Sequence, residues 1–385
     1  MVLLHEQRDV PVTTLMFSAK YGAAYENENE KGIAHFLEHL CFKGTRRRTA
    51  EQISSEIEKI GGVINAFTSE ENINFHIKVP SEYLSLAADV LFDIFFESNF
   101  PESEIEKERQ VILEEIKMYK DNPTIHTVYK IKEFLYEKPF GMMLGGSEKS
   151  VKLIKRQDII NKHKEFFIPN NSAFCVVGNN TFEEVLAVVE KLNIYEKRKL
   201  SKHYEVKLKN DSANEHRKGI EQANVAIGIH FPTASSKERY AAELFNAILG
   251  EGMSSKLFLE IREKRGLVYS VHSNLDNGDE YGYIFIHAGT DGKKAEEVVG
   301  LCKKVFMDMK NISQKELEDA KKQLIGMYKL SMEGSEETAS NLLNEDGLKS
   351  ADEYYNYPKR IEEVSLKDVQ KLALIKEISV FILSP

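Results

Sequence analysis

The sequence has few cysteines, no long apolar run and no long basic run, and each absence excludes a class of protein. Its three cysteines, Cys41, Cys175 and Cys302, are odd in number and far apart, so we expect no disulfide framework. No apolar stretch approaches the ~20 residues needed to cross a bilayer. Residues 1–9 lack the features of a secretory signal or a transit peptide. We therefore expect a reduced, cytoplasmic protein with no membrane partner.

The charge balance is acidic, with 61 acidic against 52 basic side chains and a formal net charge of -9. Because no basic run offers a phosphate-binding face, we expect no nucleic-acid partner. The 385 residues, 42% of them hydrophobic, are enough for two domains with separate cores. Residues 195–217 are charged and poor in large apolar side chains, which predicts a linker between domains at 1–200 and 215–385.

Hydrophobic periodicity predicts the same order of elements in both halves. In the first half we expect a strand at 12–20, a helix at 32–42, a helix capped by Thr49, a hairpin at 63–79, helices at 81–96 and 101–120, a strand at 173–177 and a helix at 181–192. In the second half we expect a strand at 225–231, helices at 240–249 and 255–264, and a hairpin at 268–289. This order suggests an internal duplication.

The stretch H-F-L-E-H at residues 35–39 carries the chemistry. Its two histidines, His35 and His39, are four apart and project from the same face of a helix, where both imidazoles can meet one metal ion. Glu38 lies on the same side, where its carboxylate can take a proton from a water molecule. The alternative is a helix that carries these residues without a metal.

The helix predicted at 101–120 carries Glu108 and Glu115 seven residues apart, so both lie on one face beside apolar neighbours. A carboxylate buried there is costly unless it is paired or binds a metal. The alternative is a solvent-facing helix, as is usual where glutamate is abundant.

With these residues the sequence resembles the inverzincin metallopeptidases of the pitrilysin and mitochondrial processing peptidase group (M16), whose signature is H-x-x-E-H followed by a distant glutamate. The stretches that carry the resemblance are G-I-A-H-F-L-E-H at 32–39, F-K-G-T at 42–45, G-G-V-I-N-A-F-T at 61–68, E-R-Q-V-I-L-E-E-I at 108–116, D-N-P at 121–123, P-F-G at 139–141 and P-N-N at 169–171. They span most of the first half in the family's order.

The resemblance implies an α+β fold of two homologous α/β-roll domains, each a mostly antiparallel sheet flanked by helices, with the catalytic zinc site in the first. It implies one zinc ion per chain, held by His35, His39 and Glu115, with Glu38 as the base and Glu108 as a supporting carboxylate. Helical geometry agrees, because Glu114 points about 100° away from the face of Glu115.

The second half resembles the family's non-catalytic domain through L-G-E-G-M-S-S-K-L at 249–257 and the residues from Arg262 to Tyr269. By this resemblance Arg262 and Tyr269 face the zinc and stabilise the developing oxyanion. The alternatives are that Arg262 forms a surface ion pair and that Tyr269 is a core residue. The G-E-G at 250–252 also suggests a nucleotide loop, but no strand is predicted directly before it, which favours a helix C-terminus.

The function that the resemblance implies is zinc-dependent hydrolysis of peptides or unfolded segments in a closed chamber. The strand holding Asn65, Ala66, Phe67 and Thr68 is expected to add an extended substrate at its edge, although an ordinary edge strand fits equally well. Related two-domain peptidases pair subunits, so we expect a homodimer in which the partner subunit supplies the arginine and tyrosine. The acidic pair that reads a substrate arginine in processing peptidases is absent. The rival interpretation is a catalytically silent scaffold subunit of the same family.

Overall fold

The computed structural model describes residues 1–192 and 204–385. Residues 195–203 of the predicted linker, and the end of the predicted first domain, lie outside the described residues. None of the described helices combines the length and the apolar character that crossing a bilayer requires. The following description covers the described part of the chain only.

The described strands form two five-stranded sheets with the same topology. They are β1 (Val2–Gln7), β2 (Val12–Ala19), β3 (Val63–Thr68), β4 (Ile73–Pro80), β5 (Ser172–Gly178), β6 (Ser212–His216), β7 (Ala223–His230), β8 (Val268–Asn277), β9 (Gly282–Thr290) and β10 (Ser379–Ser384). The first sheet has the order β1-β5-β2-β4-β3 and the second has the order β6-β10-β7-β9-β8. In each sheet one outer pair is parallel and the other pairs are antiparallel. The identical order confirms the α+β class and agrees with an internal duplication.

Helices flank both sheets. They are α1 (Ile33–Cys41), α2 (Ala50–Glu58), α3 (Leu84–Phe96), α4 (Glu102–Asp121), α5 (Pro123–Leu135), α6 (Glu148–Leu153), α7 (Arg156–Phe166), α8 (Phe182–Glu190), α9 (Arg239–Gly250), α10 (Ala295–Asp308), α11 (Gln314–Ser331), α12 (Ser335–Leu348), α13 (Asp352–Glu363) and α14 (Leu366–Leu372). The helix predicted at 255–264 is instead a π-helix, Phe258–Glu263. The G-E-G stretch begins at Gly250, the last residue of α9, and not after a strand, as expected.

The chain divides into two compact units that do not follow a single cut in the sequence. The first comprises Met1–Ile116, Met143–Tyr204 and Ser331–Tyr354, and the second comprises Lys117–Met142, Glu205–Leu330 and Tyr355–Pro385. The strands of the first sheet lie within the predicted range 1–200, whereas β6 of the second sheet begins before residue 215. The predicted ranges also do not contain all the helices of their sheets. Helix α5 contacts β7, β9 and β10 of the second sheet, whereas α12 contacts β2 and β5 of the first. Periodicity reveals a buried face on each helix but not the sheet that covers it.

The first sheet is covered on both faces, which explains why nearly all of β2 is buried. Phe17 of β2 contacts the rings of Phe92, Phe95 and Phe96 of α3, so α3 lies on that face. Alternate residues of a strand point to opposite faces, and Thr14 forms a 2.8 Å hydrogen bond with Ser335 of α12 on the other side. The central strand is therefore held between two helices.

Strand β3 lies at the edge of the first sheet, because β4 is its one neighbour in the described strand order. Helices α1 and α2 contact its inner side. Helix α2 begins with the predicted capping box, in which Thr49 and Gln52 each accept a hydrogen bond from the other's backbone N–H. The sheet edge and the H-x-x-E-H helix thus lie side by side.

Placing a carboxylate under α12 tests this packing. Ala339 is fully buried on the face of α12 that contains Ser335. We expect Ala339→Asp to destabilise the first unit by about 2–4 kcal/mol, because a charge is taken from water without a partner. Asn344→Asp on the exposed side of the same helix is the matched control. Denaturant unfolding of both variants measures the difference, and equal stabilities would contradict the packing.

Candidate metal centre

Helix α1 presents two chemically different faces. Its apolar side is buried in the first core, whereas His35, Glu38 and His39 lie together on the partly exposed side. This division follows from the helical repeat, since positions three and four apart share a face. The three residues that were predicted to share one face of the helix therefore do so in the structure.

The start of α1 is fixed by a buried carboxylate. Glu26 accepts hydrogen bonds from the backbone N–H groups of Gly32 and Ala34 at 2.9 and 2.7 Å. Its charge lies 3.7 Å from the ammonium group of fully buried Lys31. Burial raises the pKa of Glu26 to about 7, and Lys31 opposes the shift. Carboxylates stabilise helix N-termini, so Glu26 anchors the helix that carries both histidines.

Three side-chain atoms from α1 and α4 converge on one point. The Nε2 atoms of His35 and His39 lie 3.3 Å apart, and Oε2 of Glu115 lies 3.7 Å from each of them. These residues form the one group of three or more candidate metal ligands found in the described parts of the chain. The structure thus brings together the three predicted ligands from two separate helices.

The arrangement fits a tetrahedral metal ion. Two imidazole nitrogens bound to one zinc ion at ~2.0–2.1 Å lie about 3.3 Å apart, which equals the spacing of the Nε2 atoms here. Oε2 of Glu115 is shielded from solvent and has no hydrogen-bond partner among the described residues. A buried carboxylate oxygen is costly without a partner, and a cation between the three atoms would satisfy it. Two imidazoles and one carboxylate are a ligand set that zinc commonly takes.

Burial favours the neutral form of the first histidine. Burial, and to a smaller extent neighbouring His39, lower the pKa of His35 to about 4. A neutral imidazole offers a lone pair to a metal. The ring lies close to Gly145, where an added Cβ would lie 3.3 Å from Nδ1 of His35. A glycine at position 145 therefore leaves room for this ligand.

The second histidine is oriented from behind by a charged pair. Oε2 of Glu108 lies 3.0 Å from Nδ1 of His39, and Oε1 of Glu108 lies 2.8 Å from Nζ of Lys43. Glu108 is only 6% exposed. A carboxylate that accepts the Nδ1 proton leaves Nε2 free to bind a metal and fixes the ring orientation. This geometry agrees with the supporting role that is predicted for Glu108, which stays a prediction.

Glu38 lies beside the three ligands and contacts strand β3. Its Oε2 accepts a hydrogen bond from the hydroxyl of Thr68. Burial raises the pKa of Glu38, while Thr68 and His39 oppose this shift and Glu115 adds to it. Glu38 precedes His39 on the same helix and is not a member of the candidate ligand group. This is the position that a general base requires.

The two adjacent glutamates of α4 point in different directions. Glu115 faces the histidines, whereas Glu114 is exposed on another side of the helix. The buried residues Ile112 and Ile116 beside Glu115 hold this face of α4 in the core. The prediction that Glu115, rather than Glu114, completes the set agrees with this geometry.

Arg262 and Tyr269 belong to the second unit. Arg262 lies in the π-helix, with its guanidinium 4.6 Å from the ring centre of Phe258 and 5.7 Å from that of Tyr269. Tyr269 is 78% exposed, so the alternative of a core residue is wrong. No ion pair of Arg262 occurs among the described residues, which also counts against the surface ion pair. Their role at the metal stays a prediction.

Sequence reasoning missed three contributors to the centre. Glu26 and Lys43 act on the histidine helix from outside the motif, and Gly145 approaches His35 from a distant loop. Lys43 lies in the F-K-G-T stretch, but that stretch alone assigns it no partner. Glu26 is not a typical capping residue type, and its six-residue distance from Gly32 follows no helix-capping pattern.

Comparison with known proteins places the chain in a family. The profile described as "Insulinase (Peptidase family M16)" matches residues 1–144, and the profile described as "Peptidase M16 inactive domain" matches residues 154–324. A Bacillus subtilis protein named "Uncharacterized zinc protease YmxG" is 32% identical over 91% of this chain and 87% of its own length. The chain belongs to the M16 peptidase family.

Other relatives extend this M16 assignment. A Rickettsia bellii protein named "Uncharacterized zinc protease" is 32% identical over 86% of this chain and 81% of its own length. The crystal structure of a protease from Helicobacter pylori has a TM-score of 0.93 at 23% identity, covering 100% of this chain and 96% of that one. A structure described as "peptidase M16 inactive domain" from Pseudomonas fluorescens has a TM-score of 0.91 at 19% identity, covering 100% of this chain and 95% of that one. These two structures confirm the fold.

The two adjacent glutamates of α4 offer a matched test of the ligand set. We expect Glu115→Gln to weaken zinc binding by more than about 100-fold, because it removes a charged ligand rather than a supporting group. Glu114→Gln, which removes the same charge one residue away, should change the affinity by less than about threefold. Competition with a chromogenic chelator measures both. A larger loss for Glu114→Gln would overturn the assignment.

Proposed function

We propose that this M16 peptidase is a zinc-dependent endopeptidase that hydrolyses peptides or unfolded polypeptide segments in a closed chamber. The observation that carries the proposal is the convergence of His35, His39 and Glu115 next to Glu38. Three ligands leave one tetrahedral position for water, as in catalytic rather than structural zinc sites. The zinc protease names of its relatives support zinc as the metal. One ion per chain is proposed because the described residues hold one candidate ligand group.

The chemistry divides between the metal and Glu38. When bound, zinc supplies a Lewis acid that polarises both the attacking water and the scissile carbonyl. Glu38 takes one proton from the water as its oxygen bonds to the carbonyl carbon. The same carboxyl group then passes that proton to the departing amine as the C–N bond breaks. Glu108 keeps His39 in one tautomer, with its Nδ1 proton directed away from the centre.

The free side of β3 supports an extended substrate. Among the described strands, β3 pairs with β4 alone, and it contains Asn65, Ala66, Phe67 and Thr68. Thr68 contacts Glu38. An added peptide strand would bind through its main chain, which favours unfolded segments over folded proteins. The exposed Val63 and Phe67 side chains leave this edge partly apolar. Selection by backbone conformation is therefore part of the proposal.

The assembly is proposed from the family resemblance. Related two-domain peptidases pair subunits to enclose the substrate, so we propose a homodimer in which Arg262 and Tyr269 act on the partner's centre. The match of residues 154–324 to the inactive domain supports a second half that contributes without its own metal. The exposure of Tyr269 leaves its hydroxyl available for such a contact.

Replacing the base tests the reaction itself. We expect Glu38→Gln to bind zinc as the wild type does but to lose at least about 1,000-fold in kcat, because the amide cannot take the water proton. Cleavage of a quenched fluorescent peptide library, with zinc quantified in both proteins, provides the measurement. The Glu114→Gln variant serves as a control that loses a nearby carboxylate and keeps activity.

The same experiment separates the peptidase from the scaffold subunit. A zinc-loaded wild type that cleaves no peptide in the library, alone or in excess over substrate, would favour the catalytically silent alternative. Cleavage of an unfolded protein but not of its folded form would support the enclosed site. Equal cleavage of the folded and unfolded forms would contradict the closed chamber.

Mixing two inactive variants tests the shared site. One variant is Glu38→Gln, and the other is the pair Arg262→Ala with Tyr269→Phe. If the partner subunit supplies the arginine and tyrosine, mixed dimers regain one complete centre, and a statistical mixture should recover about one quarter of wild-type activity. Each variant mixed with itself is the control. No recovery after verified subunit exchange would mean that these residues act within their own subunit or not at all.

A further inference from the structure

We propose that Thr68 positions Glu38 for proton transfer, so that the strand expected to receive the substrate also holds the base. The inference rests on the proposed peptidase function and assigns a role to one residue of its site. The sequence placed Thr68 in the substrate-binding strand with Asn65, Ala66 and Phe67. The structure instead assigns its side chain to the base.

The hydrogen bond between the two residues is the first observation. The hydroxyl of Thr68 donates to Oε2 of Glu38, and this is the one side-chain hydrogen bond of Glu38 among the described residues. A glutamate side chain has three rotatable bonds, and a single anchor on one oxygen restricts all of them. With Oε2 held, Oε1 is the oxygen left to accept a proton from water. Holding a reacting group in place raises the rate without changing substrate affinity.

The pleat of β3 explains why Thr68 can make this contact. Alternate residues of a strand point to opposite faces. Ile64, Ala66 and Thr68 are partly buried, whereas Val63, Asn65 and Phe67 are exposed, and α1 contacts the strand. Thr68 is therefore on the buried face, at the end of the strand next to Glu38. A peptide added at the edge would pair with the backbone and leave this side chain where it is.

The backbone on both sides is held without help from the Thr68 hydroxyl. Thr68 pairs with Ile73 in the β3–β4 ladder. In the following turn, the carbonyl oxygens of Ser69 and Glu70 accept hydrogen bonds from Ala23 and Ala24 at 3.1 and 2.7 Å.

Ala23 and Ala24 lie just before Glu26 in the sequence, and Glu26 anchors the start of α1 through Gly32 and Ala34. The end of the strand and the start of the helix are thus connected by main-chain bonds and a separate carboxylate. Removing only the hydroxyl should free the Glu38 side chain and leave strand and helix in place. The proposal can therefore be tested by replacing Thr68 with valine, which has the same shape and no hydroxyl.

Three variants of the full-length, zinc-loaded protein provide the test. Thr68→Val keeps the β-branched shape and removes the hydroxyl, Thr68→Ser keeps the hydroxyl, and wild type is the reference. We expect kcat for the best library peptide to fall about tenfold in Thr68→Val. A loss of this size corresponds to the loss of one hydrogen bond to a charged group. KM and zinc affinity by chelator competition should stay within about twofold, because neither depends on the orientation of the base. Thr68→Ser should keep kcat within about threefold.

Several results would overturn the role. They are an unchanged or higher kcat in Thr68→Val, an equal loss in Thr68→Ser, or a loss of zinc affinity that parallels the loss of kcat. An equal loss in Thr68→Ser would mean that the effect comes from side-chain shape rather than from the hydroxyl. A parallel loss of zinc affinity would mean that the whole centre is disrupted. A wild type that binds zinc and never cleaves would contradict the proposed function itself, which is a different outcome from an active wild type with an equally active Thr68→Val.

Discussion

The candidate centre depends on the fixed position of helix α1. Two histidines four residues apart share a face on any helix, but they meet a third ligand only if that helix is held against rotation and sliding. Here the apolar side of α1 is buried in the first core, and its first turn is anchored by Glu26. Burying Glu26 with Lys31 is costly for both charges, and the two mutually compensate at 3.7 Å. The Glu26–Lys31 pair lies at the start of the helix whose orientation sets the positions of both imidazoles.

Around this helix, two of the functional groups, His39 and Glu38, have a support that comes from another element. Glu108 of α4 orients His39 and is itself paired with Lys43, and Thr68 of β3 contacts Glu38. Supports of this kind raise the precision of a site, because a ligand or base with one fixed rotamer loses little entropy when it acts. Helix α4 contributes both a ligand and a support, since residues seven apart return to the same face after about two turns. The three candidate ligands and the candidate base are therefore carried by helices rather than by loops.

The fold makes the two halves of the sequence interdependent. Helix α12 from the second half lies on the first sheet, and helix α5 from the first half lies on the second sheet. Each sheet consequently lacks part of its cover until the other half of the sequence is present. The repeated strand order agrees with duplication, whereas the exchanged helices mean that neither half of the sequence contains all the helices that cover its own sheet. Local periodicity could not show this, because it reports that a helix face is buried without saying against what.

The sequence by itself determined which residues are the candidate ligands and the candidate base. The spacing within H-F-L-E-H, the seven-residue separation of Glu108 and Glu115, and the family resemblance are local or pattern-based properties, and they specify His35, His39, Glu38 and Glu115 before any fold is known. Tertiary structure alone decided which groups meet those residues: Lys43 behind Glu108, Glu26 at the start of α1, and Thr68 on the base. It also decided that Tyr269 is exposed and that α5 and α12 cover sheets formed by the other half of the sequence. The physical reason is that most of these contacts join residues tens to hundreds of positions apart, and only the packing of the whole chain sets such distances. The contact of Glu26 with Gly32 is short in sequence, but it follows no capping pattern.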